Sequence, residues 1–194
     1  MRLIYAYVTP FFPSPESWRG AFAYDFIKAL QRTGAFDVAV FVPGAGKDYE
    51  YQGIKVYRFA TRNLPSALFP FLFRKHNEAN FLRAIARAGL DPSKIAVCHA
   101  NTAFFAIYAL AVKRFAPDCL AVLHHHDLMS FGLNLGKMRH FWPYNVYLFP
   151  ALRRLHERID CHVFVSNAAR KNFLAAPDAQ NIFQRLGNFQ NFVD

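Results

Sequence analysis

The sequence predicts an α/β fold, a Rossmann-like, doubly wound and mostly parallel sheet with helices on both faces. Short runs rich in β-branched and aromatic residues recur along the chain, and segments of helical period stand between them. Their order is the alternation of βαβ units, which implies parallel strands joined by crossover helices. A chain of 194 residues with 54% hydrophobic content also supplies one sizeable core, so residues 1–194 read as a single domain.

Leu3–Val8 is apolar and aromatic enough for a buried first strand. It breaks at Thr9-Pro10, and Pro10, Pro13 and Pro15 forbid regular helix across the loop that follows. Beyond Gly20 the period changes. Phe22, Phe26, Ile27 and Leu30 recur at helical spacing with Asp25, Lys28, Gln31 and Arg32 opposite them, and Gly34 supplies a left-handed helix end. Asp37–Val42 reads as the second strand and Ile54–Phe59, after a turn at Gln52-Gly53, as the third. Between them, Gly44-Ala45-Gly46-Lys47 resembles a phosphate-binding loop only superficially. It lacks the first glycine spacing and the hydroxyl residue after lysine, and reads as a surface turn.

Leu64–Phe73 is apolar and aromatic but split by Pro65 and Pro70. A helix with Phe81, Leu82, Ile85 and Ala86 on one face then stops near Gly89, and Asp91-Pro92 turns into a fourth strand, Ile95–Cys98. Thr102–Phe115 is an almost wholly apolar helix, expected to be buried on several sides. Leu120–Leu123 begins a fifth strand that runs into His124-His125-His126-Asp127. Residues 129–144 mix glycine, aromatics and cations without a period, a long loop or broken helix. Tyr147–Ile159 is helical, Cys161–Val165 is the sixth strand, and Ser166 caps the helix after it.

A formal charge of +10 points to an anionic partner, and an aromatic content of 17% argues against a disordered electrostatic binder. Cys98, Cys119 and Cys161 are odd in number and sit in or beside apolar runs, so buried free thiols in a reducing compartment are expected. No apolar run reaches transmembrane length, and the protein is expected in the cytoplasm or on a cytosolic membrane face.

In a doubly wound sheet ligands lie at the carboxyl ends of the strands, so the loop from Pro10 to Gly20 should border a site. Gly20, without a Cβ and at a helix N-terminus, suits a backbone approached by phosphate, and suits an ordinary loop glycine equally. Along an extended strand His124 and His126 share a face while His125 points the other way. His99 closes the fourth strand, either lining the same cleft or serving as a structural group. His99 with the H-x-H pair could present three imidazoles to a metal. Structural zinc usually takes four ligands, however, and His156-Glu157 with His162 does not match H-E-x-x-H, so no metal is assigned. Phe69 and Phe71 precede Arg74 and Lys75, and Lys137, Arg139 and Trp142 form a second basic-aromatic group. Such mixtures suit the interface of an anionic membrane, a core with a solvated cationic rim, or the docking surface of another domain.

Several segments, in order, carry a resemblance. They are Leu3–Pro10, Gly20-Ala21-Phe22 with Asp25 and Lys28-Ala29-Leu30, Asp37–Pro43, and His99-Ala100-Asn101, followed by Val122–Leu128 with His126-Asp127, Val163–Asn167, and Asn191-Phe192-Val193-Asp194. With these the chain resembles the N-terminal half of retaining glycosyltransferases of the GT-B fold, family four. Two departures stand out: Ser17-Trp18-Arg19 precede a lone Gly20 where the family often has paired glycines, and Phe192 replaces the glycine of the terminal motif. The resemblance implies donor phosphates at Gly20, catalytic roles for His126 and Asp127, and acceptor binding by His99, Asn101 and His125. It implies a nucleotide diphosphate sugar as co-substrate with no other cofactor, and a glycan or lipid-linked glycan as acceptor. It also implies a C-terminal donor-binding domain carrying paired glutamates. That domain is not within residues 1–194, so this stretch is expected not to transfer sugar unaided.

The competing reading is a non-enzymatic basic-aromatic module for an anionic membrane or nucleic acid. Nucleic acid is the weaker partner, because the cations are scattered and no nucleic-acid motif is present. A dinucleotide oxidoreductase fits poorly: the first turn lacks G-x-G-x-x-G and no acidic residue ends the second strand.

Overall fold

The computed structural model describes residues 2–62, 73–125 and 154–175, excepting the side chains of 172–175. Its strands are β1 (Leu3–Val8), β2 (Phe36–Pro43), β3 (Tyr49–Tyr51), β4 (Ile54–Phe59), β5 (Ile95–Ala100), β6 (Leu120–His125) and β7 (Cys161–Phe164). They form one sheet in the order β3-β4-β2-β1-β5-β6-β7, parallel throughout except where β3 runs antiparallel to β4. Without β3, the order is that of a doubly wound sheet, and its direction of growth reverses between β1 and β5. The expected Rossmann-like α/β fold is present.

The described α-helices are α1 (Ala21–Arg32), α2 (Arg74–Arg87), α3 (Ala106–Lys113) and α4 (Asn167–Ala175). Side chains alternate across each strand, so β1 feeds two cores. Tyr5 and Tyr7 join Val40, Val42 and Val56 beneath Ala23 and Ile27 of α1. Ala6 and Val8 point oppositely, into a larger core with Phe41, Phe81, Ile85 and Leu110 under α2 and α3. Every residue from Ala106 to Val112 is buried, as expected of an apolar helix, although a 3-10 turn at Ala103–Phe105 takes the place of its first residues.

Three expectations need correction. A seventh strand, β3, pairs with β4 across Gln52 (φ 47°) and Gly53 (φ 81°), a two-residue turn with positive φ at both positions that matches strand twist. Three residues with a central glutamate are too short to carry a readable period. On α1 the buried residues are Ala23 and Ile27, whereas Phe22 is 49% exposed and Phe26 36%. Ala23 and Ile27 are fully buried, and Phe26 still packs its ring against Tyr7 and His99. On α2, Ala84 rather than the exposed Ala86 is buried with Phe81 and Ile85, and Asn77 and Glu78 are buried beside them. Asn77 Oδ1 accepts the backbone N–H of Arg62 (2.9 Å), and Asn80 donates to the carbonyl of Ala60 (2.8 Å), so this helix pins the chain leaving β4.

Ser166 caps α4 as expected, its Oγ accepting the N–H of Ala169 at 3.1 Å. Cys98 and Cys119 are buried free thiols and Cys161 is partly covered; burial pushes the Cys119 thiol up to about 11. The segments read as Leu64–Phe73, 129–144 and Tyr147–Ile159 fall wholly or largely outside the described residues.

Candidate functional site

The sheet reverses where β1 and β5 end side by side, the point at which doubly wound sheets form their ligand crevice, and the chain secures that point with polar groups. Asn101, just past β5, donates its backbone N–H to Val8 (2.8 Å) and its side-chain amide to Thr9 Oγ1 (3.0 Å). Thr9 Oγ1 donates in turn to the carbonyl of Phe11 (3.0 Å), and the Thr9 N–H reaches Phe41 on β2 (3.0 Å). Thr9 and Asn101 are both buried, and Asn101 Oδ1 has no hydrogen-bond partner among the described residues. A buried polar atom without a protein partner at the reversal point of a doubly wound sheet marks this as the place to look for a ligand or an ordered water.

Gly20 is the N-cap of α1, with φ of 91°. A Cβ built there would stand 2.5 Å from the carbonyl oxygen of Phe11, so the loop's own backbone fills the space that a side chain would take. The requirement for glycine is therefore local: positive φ and loop closure account for it. The loop also carries a surface that the sequence reading did not single out. Trp18 is 78% exposed, and the guanidinium of Arg19 lies 3.5 Å from the centroid of Phe11. Phe11 and Phe22 are exposed as well. The readable signal was a tryptophan between Pro15 and Gly20, in a loop already placed at the carboxyl end of a strand.

His99 lies on the α1 face of β5 and is 3% exposed. The Tyr5 hydroxyl meets His99 Nδ1 at 2.7 Å, and Tyr7, Phe26 and His124 pack their rings around it with centroids 5.0–5.5 Å away. Burial pushes the Tyr5 phenol far above its ordinary range, which keeps the hydroxyl protonated. Donation from it to Nδ1 places the imidazole proton on Nε2. His99 thus sits as a positioned group within an aromatic box, next to His124 on the adjoining strand.

His125 points to the other face, as strand alternation requires. It is fully buried, stacked on Phe164 (centroids 4.7 Å apart), and its Nε2 lies 2.9 Å from His162 Nδ1. His162 Nε2 donates to the carbonyl of His156 (3.3 Å), and His156 Nε2 to that of Ala103 (3.1 Å). Burial holds both imidazoles well below their ordinary range, His156 at about 3 and His162 at about 4, so both are neutral donors. The arrangement ties β6, β7, residues 154–156 and the 3-10 turn before α3 together. It separates His125 from His99 and Asn101 by the thickness of the sheet. No group of three or more histidine, cysteine or acidic side chains among the described residues is arranged to hold a metal.

The proposed catalytic pair, His126 and Asp127, lies just beyond β6 and outside the described residues, as do Phe69, Phe71, Lys137, Arg139, Trp142 and the terminal Asn191–Asp194. Of the basic-aromatic groups, Arg74 and Lys75 are described. Lys75 is exposed, while Arg74 turns inward to Glu78 (2.6 Å), whose other oxygen accepts from Arg114 (2.7 Å). No described helix is long and apolar enough to cross a membrane.

Solved structures share the fold, two trehalose-phosphate synthases among them. The α,α-trehalose 6-phosphate synthase of Burkholderia multivorans superposes with a TM-score of 0.51 at 16% identity, covering 93% of this chain and 44% of that one. The UDP-forming α,α-trehalose-phosphate synthase of Burkholderia vietnamiensis gives 0.53 at 12% identity, covering 93% and 43%. The chain therefore spans less than half the length of these structures. No curated protein matches it by sequence. A family model does, over residues 20–182, which takes in α1, Asn101 and the histidine strands, and by that match the chain belongs to Glycosyltransferase Family 4.

Proposed function

We propose that these residues form the acceptor-side domain of a glycosyltransferase that moves a hexose from a nucleotide diphosphate sugar to a glycan or lipid-linked glycan, with retention of anomeric configuration. The observation that carries the reading is the family match over residues 20–182, laid on a sheet whose reversal point holds Thr9 and Asn101. The Burkholderia vietnamiensis synthase is UDP-forming, which supports a nucleotide-sugar donor here.

In this reading the crevice at β1 and β5 faces the reacting sugar, with Asn101 Oδ1 accepting from a sugar hydroxyl and the N-terminus of α1 near the donor phosphates. His99, fixed by Tyr5, positions the neighbouring His124. His126 and Asp127 follow directly on that strand and would stand beside the acceptor, the imidazole bonding sugar hydroxyls and the carboxylate taking the acceptor's proton. His125, on the opposite face, acts through packing. A second domain supplies the donor pocket, and an acceptor embedded in lipid would place the protein at the cytoplasmic face of a membrane, with Lys75 and the basic-aromatic segments toward it.

The test is transfer of label from a panel of nucleotide sugars to membrane lipid extract, by the chain alone and by a polypeptide that continues into a donor domain. Transfer only by the longer protein, with the product's anomeric configuration equal to the donor's by NMR, is the expected result. Absence of transfer by both, or an inverted product, would overturn it.

A further inference from the structure

The turn Gly44–Lys47 fails as a phosphate loop on sequence spacing, yet the fold places it in cationic surroundings of another kind. Leaving β2, it crosses the carboxyl end of β4, where Gly44 donates its N–H to Phe59 (2.9 Å), and it forms one wall of a depression of about 550 Å³. Lys47, Arg58, Arg83 and Arg87 line that depression against a single carboxylate, Asp48. Arg87 is engaged with Asp48 through two hydrogen bonds of 2.9 Å, which keep its guanidinium in place. Arg58 lies under the turn, its Nη1 3.4 Å from the carbonyl of Ala45 and its guanidinium 5.1 Å from the ring centroid of Tyr49. A Cβ on Gly44 would come within 3.2 Å of that guanidinium, so the glycine leaves the room Arg58 occupies. Arg83 is oriented by Asn80 Oδ1 at 2.8 Å.

Among the described residues no carboxylate pairs with Lys47, Arg58 or Arg83, and no acceptor bonds the backbone N–H groups of Ala45, Gly46 or Lys47. Two guanidiniums and an ammonium lining one concavity, beside a turn with three successive backbone N–H groups that no described acceptor takes, match a tetrahedral dianion better than a carboxylate, which a single fork satisfies. We infer that this depression is a binding site for a phosphate monoester. It lies two strands from the β1–β5 crevice and does not depend on the glycosyl-transfer reading.

The experiment is a titration of the chain with inorganic phosphate at constant ionic strength, followed by amide and arginine Nε resonances in NMR. Expected are saturable shifts at residues 45–47 and at Arg58 and Arg83. The double variant Lys47→Gln/Arg83→Gln alters two exposed side chains and should keep the fold while weakening phosphate at least tenfold. Shifts that do not saturate, that spread over all surface cations, or that persist undiminished in the variant would overturn the site. Glucuronate saturating these resonances where phosphate does not would overturn its assignment to phosphate.

Discussion

Asn101 and Thr9 stand 92 residues apart in sequence and are joined by a 3.0 Å hydrogen bond at the point where the sheet changes direction. Thr9 hands the connection on to the Phe11 carbonyl, so the loop bordering the crevice is held by side chains from two strands. Thr9→Val keeps the shape and removes the hydroxyl, leaving the buried Asn101 amide and the Phe11 carbonyl without it. The expected cost is about 1–3 kcal/mol, read as a lowered urea midpoint with an unchanged slope. A midpoint equal to that of the parent would show that the bond does not hold the loop.

Gly20 combines positive φ with a backbone carbonyl 2.5 Å from where a Cβ would lie. Gly20→Ala must shift either the turn or Phe11, and the contact is with backbone, which gives little. Destabilisation of about 2 kcal/mol or more is expected, together with altered Trp18 fluorescence because the displaced loop carries that ring. Stability within error of the parent would contradict the close approach.

The strands were legible because buried parallel strands read as apolar runs, and Leu3–Val8 and Ile54–Phe59 coincide with the runs that announced them. The opposite orientations of His124 and His125 followed from strand period alone. What was not legible needed partners distant in sequence. The hydrogen-bonded chain from His125 through His162 to His156 joins three elements, and nothing local to any of these histidines announces the others. Likewise Arg74 reads as a surface cation until the fold brings Arg114 and the buried Glu78 to it.

That histidine chain gives a pH dependence. Above about 6.5 His156 and His162 are neutral in both the folded and the unfolded chain, and they leave stability unaffected. As pH falls below 6.5 the unfolded chain takes up protons that the folded one refuses until about 4 and 3, so stability declines. Between pH 7.5 and 5 the loss should be about 2–4 kcal/mol. Urea midpoints at the two values measure it. His162→Gln removes one of the two proton acceptors and should flatten the slope; a slope equal to the parent's would place the proton uptake elsewhere.

Arg74 and Lys75 are adjacent in sequence and differ in what the fold does with them. Glu78 is 4% exposed at its side chain and accepts from Arg74 and Arg114, whose own side chains are 29% and 46% exposed. Water screens the arginines in part, so Glu78→Gln should cost about 2 kcal/mol, below the range for fully buried pairs. Arg74→Gln acts on the same group and should lower the urea midpoint while leaving adsorption to anionic vesicles nearly unchanged. Lys75→Gln touches no such partner. It should leave the midpoint in place and weaken adsorption by about 1 kcal/mol, a several-fold change in vesicle partitioning at low salt. Co-sedimentation with phosphatidylserine vesicles separates the two effects. If Arg74→Gln weakened adsorption without altering stability, its side chain would have to leave Glu78 at the membrane; if neither variant nor added salt changed it, the cationic surface near Lys75 would not be the one that meets lipid.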